Sequence, residues 1–304
     1  MNKKVLITNA SYGMYSPKPM QMLEDAGFEV TWIKGATRQQ ILENIGDMDA
    51  LLVGVEPADA EIIRTGKRLK VISKHGVGID NIDVKAAEER GIAVKNAPGT
   101  NSDAVADFTF GLLLDAARGI TAGDRALRGG GWPRIAGESV WGTTLGIIGL
   151  GAIGRGVALR AKGFQMRVLA YDVFWNEAFA AEHGIERVSL EEIYRQSDFI
   201  SIHAALTEET RNMIAMEQLR MMKPNAILVN AARGGIVNEE DLYTALTTGV
   251  IRGAALDAFS REPAKDLPLF ELDNVVVTPH LGAFSREAMT RMSIAATENI
   301  IQSV

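Results

Sequence analysis

The chain of 304 residues contains no cysteine. That single absence removes disulfides, thiolate metal sites and cysteine nucleophiles, and it suits a reducing cytoplasm. Positive charge is also in short supply. Lys and Arg total 32 against 38 Asp and Glu, a formal charge of −6, so a nucleic-acid partner, which needs a basic face, is not expected. No apolar run approaches the ~18 residues of a membrane span, so no membrane partner is expected either. Lys3-Lys4 is followed only by Val5-Leu6-Ile7 before polar Thr8-Asn9, too short for a signal-peptide core. The expectation is a cytoplasmic protein. Proline is sparse at nine residues, while thirty glycines are scattered along the chain, as many short turns require. The length suggests about two domains.

Short apolar runs alternate with amphipathic stretches throughout: 5–8, 20–26, 30–33, 41–45, 50–53, 62–66 and 71–73, then 145–148, 168–171, 199–202, 227–229, 254–256 and 275–277. Bounded by polar residues or Gly, they read as strands buried on both faces. Thr37–Gln40 and Ser189–Glu192 have capping-box spacing, and Asn238-Glu239-Glu240-Asp241 places acids at a helix start, where the dipole favours them. Repeated β–α–β units with short connections imply parallel sheets covered by helices, an α/β class. One series precedes about residue 96 and another follows about 143. Between them 102–118 reads as one long helix, apolar on much of its circumference. A last helix, about 285–302, has no partner that periodicity alone selects.

The strongest local motif is Gly149-Leu150-Gly151-Ala152-Ile153-Gly154, which follows a strand and opens a helix. Gly149 allows a tight turn, Gly151 lets backbone approach a pyrophosphate, and Gly154 lets the helix pack on the strand. The helix N-terminus then offers amides to the phosphates. The next strand ends at Asp172, close to the spacing of a ribose-binding acid. Val173-Phe174 follow, with no Lys or Arg to receive a 2′-phosphate. The cofactor expected is NAD.

In the second series three strands end in polar residues, where parallel sheets bind ligands. The run 227–229 leads to Arg233, 254–256 to Asp257 and Glu262, and 275–277 to His280. Singly these are a surface charge, a turn residue and a buried histidine. Together, behind a dinucleotide motif, they suffice for carbonyl reduction. Arg233 grips an acid group, His280 supplies a proton, and Glu262 behind it favours the charged imidazole.

With these motifs in order, the chain resembles the D-isomer-specific 2-hydroxyacid dehydrogenase family, in the neighbourhood of phosphoglycerate dehydrogenase and hydroxypyruvate reductase. The matching stretches are 75–83, 96–101, 149–154 with Asp172, 230–235, 257–263 and 279–282. The resemblance implies two Rossmann-like, doubly wound parallel-sheet domains with the active-site cleft between them: a substrate domain of 1–98 plus 285–304, and an NAD-binding domain of 99–284. It implies Arg233, Glu262 and His280 as the catalytic set. For the substrate it implies Lys74, Val77, Gly78, Arg233 and Arg134, with the Val77 and Gly78 amides forming an anion nest. For NAD it implies Gly149, Gly151, Ala152, Ile153, Gly154, Asp172, His203, Thr210, Ala231, Arg233, Asp257, His280 and Gly282, with Asp257 at the nicotinamide amide. It also implies a homodimer through the NAD-binding domain, with the helix at 102–118 in the interface.

The chain departs from the family pattern at Ala205, where Pro is usual, which points to a looser turn. It departs again at Gly54, where phosphoglycerate enzymes tend to carry Arg, with Glu56 two residues on. The sequence stops soon after the last helix, so no C-terminal regulatory domain is expected. Formate or phosphite dehydrogenase, and a non-catalytic NAD-sensing corepressor or scaffold, are the alternative functions on this fold. Glu262 argues against formate dehydrogenase, where Gln is typical.

Overall fold

The computed structural model describes residues 3–304. The chain divides into two compact units, Met1–Asn101 with Phe284–Val304, and Ser102–Ala283. The first begins β1 (Lys3–Ile7), α1 (Lys18–Asp25), β2 (Phe28–Trp32), α2 (Arg38–Asn44), β3 (Ala50–Val53), α3 (Ala60–Thr65), β4 (Val71–Lys74), α4 (Val84–Glu89) and β5 (Ala93–Lys95). The second unit opens with α5 (Ser102–Arg118), α6 (Ile120–Arg128), β6 (Thr144–Ile148), α7 (Ala152–Gly163), β7 (Arg167–Tyr171), α8 (Glu177–His183) and β8 (Glu186–Arg187). It continues through α9 (Leu190–Gln196), β9 (Phe199–Ile202), α10 (Met216–Met221), β10 (Ile227–Asn230), α11 (Glu239–Thr247), β11 (Gly253–Leu256) and β12 (Val275–Val277). The chain then returns to the first unit as α12 (Arg286–Ser303).

The sheet of the first unit runs β2-β1-β3-β4-β5, and that of the second β12-β11-β10-β9-β6-β7-β8. Every pairing is parallel, and helices on both faces bury the strands, which is why they read as continuous apolar runs. Val5, Leu6 and Ile7 of β1 are all fully buried.

The apolar runs at 20–26, 41–45 and 62–66 belong to α1, α2 and α3 and their ends rather than to strands. Their apolar residues line one face of a short helix. Thr37 caps α2 in a full capping box with Gln40, and Asp59 caps α3 through the Glu61 and Ile62 amides. Two strands escaped the sequence pattern, β5 and β8. Both lie at sheet edges, and the two residues of β8 are exposed and charged, so neither carries an apolar run.

The helix α12 packs against β4 and α1. Ser73 Oγ donates to the Ala296 carbonyl at 2.9 Å, Tyr12 and Thr297 share a hydroxyl hydrogen bond of 2.5 Å, and Asn299 Nδ2 donates to the Asn96 carbonyl. These polar contacts, all with Met1–Asn101, give the helix the partner that its periodicity left open. In the second unit α5 buries Val105, Ala106, Phe110, Leu112 and Leu113 against α7 and the sheet. By contrast α6 buries none of its residues, and Ile120 and Leu127 are exposed. No helix among the described residues is long and apolar enough to cross a membrane.

Candidate active site

The turn between β6 and α7 has the shape a pyrophosphate requires. Gly149 sits at φ +97°, and a Cβ there would lie 2.7 Å from the His203 carbonyl carbon. A Cβ on Gly154 would lie 2.0 Å from the Gly149 carbonyl oxygen. Gly151 caps α7, with open space where its Cβ would be. Ala152 and Ile153 form the first turn, whose free amides and dipole favour an anion. At the end of β7, Asp172 Oδ2 accepts from the Leu150 amide at 2.5 Å and Oδ1 from the Phe174 amide at 2.7 Å. The acid therefore ties the glycine turn to the strand end while remaining half-buried. Beside it Phe174 is 87% exposed, a large apolar side chain left open at the rim. Together these features fit a dinucleotide.

His203 follows β9. Its Nε2 pairs with Ser201 Oγ at 2.8 Å, and its Nδ1 is sealed without a hydrogen-bond partner. Burial pulls its pKa down to about 4, so the ring is neutral at pH 7. The turn at Ala205 is closed by its own hydrogen bonds. Thr210 Oγ1 donates to the Ala205 carbonyl at 2.7 Å and accepts from the Thr207 amide at 2.7 Å, closing the loop that a proline would have stiffened. The hydroxyl of Thr210 is thereby engaged within its own loop.

Three loops bring the Arg, Glu and His together. After β10, buried Asn230 accepts from the Ala232 amide and donates to the Arg233 carbonyl, folding the chain so that Ala231 is buried and Arg233 is half-buried, its Nη1 donating to the Ala232 carbonyl at 2.8 Å. Gly234 presses on the next loop, since a Cβ there would lie 1.8 Å from the Phe259 carbonyl carbon. On that loop Glu262 accepts from the Phe259 amide at 3.0 Å. His280 Nδ1 lies 3.0 and 2.8 Å from the two Glu262 oxygens, which leaves Nε2 facing away from the carboxylate. Burial acts to raise the Glu262 pKa. The hydrogen bond from His280, the Phe259 amide and the charges of His280 and Arg233 outweigh it and hold the group below the usual carboxylate range.

Asp257 is 1% exposed. Its carboxylate accepts from Thr278 Oγ1 at 2.6 Å, the Leu281 amide at 2.7 Å and the Gly282 amide at 2.8 Å. Burial raises its pKa against those three bonds. All three bonds run to the loop that carries His280, which sits at φ +54°.

In the first unit the loop after β4 holds Gly76 at φ +147°. Asn96 Nδ2 donates to the Val77 carbonyl at 2.6 Å, while the Val77 and Gly78 amides have no hydrogen bond among the described residues. Lys74 points inward: it is 9% exposed, and its Nζ donates to the Gly54 carbonyl and, at 2.6 Å, to Asn81 Oδ1. Arg134 stands exposed in the irregular segment after α6, where no hydrogen bond or ion pair ties it to the catalytic set among the described residues.

Sequence reasoning passes over two supporting residues. Glu239 accepts from the Ser260 amide at 2.6 Å and from Ser260 Oγ at 2.8 Å, fixing the Glu262 loop. Thr278 joins Asp257 to the His280 loop. In the sequence Glu239 reads only as a helix-start acid, and nothing in its spacing points across to residue 260.

A family model described as D-isomer specific 2-hydroxyacid dehydrogenase, NAD binding domain, matches residues 110–282. The chain is 46% identical over 273 residues to a glyoxylate reductase of Korarchaeum cryptofilum, covering 87% of this chain and 82% of that one. It is 44% identical over 301 residues to a D-3-phosphoglycerate dehydrogenase of Methanocaldococcus jannaschii, covering 98% of this chain but 56% of the relative. The chain thus spans about half the length of the phosphoglycerate dehydrogenases it matches. Among solved structures, the TT0316 protein of Thermus thermophilus superposes with a TM-score of 0.90 at 37% identity, covering 98% of this chain and 95% of that one. A D-lactate dehydrogenase from Aquifex aeolicus, complexed with NAD and lactic acid, superposes with a TM-score of 0.85 at 28% identity, covering 97% and 93%.

Proposed function

The chain belongs to the D-isomer-specific 2-hydroxyacid dehydrogenases, and from that membership we propose that it uses NADH to reduce a small 2-oxo acid reversibly to the (R)-2-hydroxy acid. The observation that carries this reading is the Glu262–His280 pair on neighbouring loops with Arg233, in the unit whose β6–α7 turn fits a pyrophosphate.

The cofactor, when bound, supplies the hydride that forms the new C–H bond at the carbonyl carbon. The amides of the 149–154 turn would hold its pyrophosphate, and Asp172 would accept from ribose hydroxyls and repel a 2′-phosphate, which favours NAD over NADP. Arg233 grips the substrate carboxylate and stabilises the charge that develops on the carbonyl oxygen. In the first unit, the Val77 and Gly78 amides, which have no hydrogen bond among the described residues, are offered as an anion nest for a carboxylate. His280 delivers the proton to that oxygen from Nε2, while Nδ1 stays on the Glu262 carboxylate, which fixes the ring. Solvent then reprotonates Nε2. In sum, 2-oxo acid, NADH and one proton give 2-hydroxy acid and NAD⁺.

Formate oxidation needs no proton donor, so the His280–Glu262 pair speaks for the hydroxyacid reaction. A homodimer through the NAD-binding unit is part of the proposal. It is supported by α6, whose apolar residues its own unit leaves uncovered, whereas the apolar face of α5 is filled internally. A cytoplasmic setting, which holds the NADH pool, fits the chemistry. The test is loss of NADH absorbance with glyoxylate, hydroxypyruvate, phosphohydroxypyruvate and sulfopyruvate. Turnover with at least one supports the reading. NADH binding without turnover of any would replace it with an NAD-sensing corepressor or scaffold.

A further inference from the structure

The ladder between β4 and β5 ends at the Ser73–Lys95 pair, yet the two chains stay joined beyond it. The Gly76 carbonyl accepts from the Ala97 amide at 2.9 Å, and the Val77 carbonyl accepts from Asn96 Nδ2 at 2.6 Å. In a trans peptide the N–H points away from the C=O of the same unit, and no cis bond lies in this loop. Holding the Gly76 carbonyl against residue 97 therefore aims the Val77 N–H to the opposite side. Holding the Val77 carbonyl on Asn96 does the same for the Gly78 N–H.

The two clamps differ in kind. The first is backbone to backbone, and any residue but proline at 97 can make it. The second is made by a side chain and exists only because residue 96 carries an amide donor. Asn96 is itself anchored, its carbonyl accepting from Asn299 Nδ2 on α12 at 2.8 Å. At the start of the loop the His75 amide donates to the Val53 carbonyl at 2.8 Å, and the His75 ring pairs through Nε2 with Ser293 Oγ, also on α12, at 2.9 Å. All of these groups belong to the first unit.

The clamp on Val77 also changes the donor. A hydrogen bond accepted by a peptide carbonyl polarises the N–H of the same unit and strengthens it toward an acceptor. Lys74 and Asp80 flank the pair with opposite formal charges, so the two amides, rather than net charge, make the place fit for an anion. Resting on the dehydrogenase reading above for the identity of that anion, we propose that Asn96 is a positioning residue. By holding the Val77 carbonyl it aims and strengthens the Gly78 N–H, and so completes the Val77–Gly78 pair as a donor to a carboxylate.

The experiment uses the full chain with Asn96→Ala and Asn96→Asp, the second nearly the same size but with no donor for the Val77 carbonyl. Both variants should raise the KM of a 2-oxo acid substrate roughly tenfold. They should leave kcat and the KM for NADH nearly unchanged, as loss of uniform substrate binding requires. Acetate, a carboxylate that cannot react, gives a readout independent of turnover. Titrated into isotope-labelled protein, it should shift the Val77 and Gly78 amide resonances together, and Asn96→Ala should remove most of the Gly78 shift. Circular dichroism confirms that each variant folds. If neither does, Asn299→Ala, which releases only the anchor of Asn96, should move KM the same way by a smaller factor. A KM unmoved in the folded variants, a fall in kcat alone, or a Gly78 shift that survives the loss of Asn96 overturns the proposal. If NADH binds and no 2-oxo acid turns over, the dehydrogenase reading falls, and the acetate titration alone decides whether Asn96 arms the pair. If turnover is intact and KM stays put, only this inference falls.

Discussion

His280 combines a costly backbone conformation with a chemical assignment. A φ of +54° is uncommon outside glycine and is often found where surrounding structure enforces it at functional sites. Here Asp257 enforces it from one side and Glu262 fixes the ring from the other. Replacing His280 with Ala should lower kcat roughly 10²–10⁴-fold, a far larger effect than on NADH affinity read by fluorescence titration. An unchanged kcat would remove His280 as the proton donor. At the other end of the cofactor site, Asp172→Ser should raise the KM for NADH more than that for NADPH. The variant also loses two amide contacts to the carboxylate, so both constants worsen, but equal losses would contradict the assignment of Asp172 to the ribose.

At the scale of elements, the catalytic loops are held by carboxylates that bond backbone amides on neighbouring loops. Removing the Asp257 carboxylate as Asp257→Ala leaves two buried or half-buried amides and a hydroxyl without their acceptor. Each such loss costs about 1–3 kcal/mol, so denaturant unfolding should show a clear drop in stability. The activity should fall with it, because the His280 loop is released. A variant with unaltered stability and activity would show that the loop holds itself.

Much of this was legible in the chain. The 102–118 helix, the two capping boxes and the 149–154 turn each carry a local pattern of apolar period, cap or glycine spacing, and local patterns survive folding. What escaped were features set by neighbours distant in sequence. The strands β5 and β8 have no apolar run because they lie at edges. The inward turn of Lys74 depends on Gly54 and Asn81. The choice by α12 of the first unit depends on hydroxyl contacts with Ser73 and Tyr12. Arg233, Glu262 and His280 were readable as a set only because strand ends are where parallel sheets place chemistry. Their actual hydrogen bonds were not readable.

For the whole molecule, two buried histidines set a pH response. Burial lowers both His75 and His203 from 6.5 to about 4. Between those values the unfolded chain binds protons that the folded chain refuses, so stability is full above about pH 6.5 and is lost as pH falls toward about 4. Unfolding in urea at neutral pH and at about pH 5 should show the decline, and His203→Asn should flatten part of it. Stability independent of pH across that window would mean the two rings titrate normally. The uncovered face of α6 makes a second prediction. Light scattering should give a dimer mass, and Leu127→Glu should shift it toward monomer. A monomeric unaltered protein would remove the dimer from the proposal.

Hydride transfer to one face of a 2-oxo acid, with His280 supplying the proton, fixes the configuration of the product. The most direct test is to reduce hydroxypyruvate with NADH and resolve the glycerate formed on a chiral column. One (R)-glycerate should form per NADH consumed, with product formation falling in His280→Ala. Formation of the (S) acid, or NADH bound and never oxidised, would contradict it.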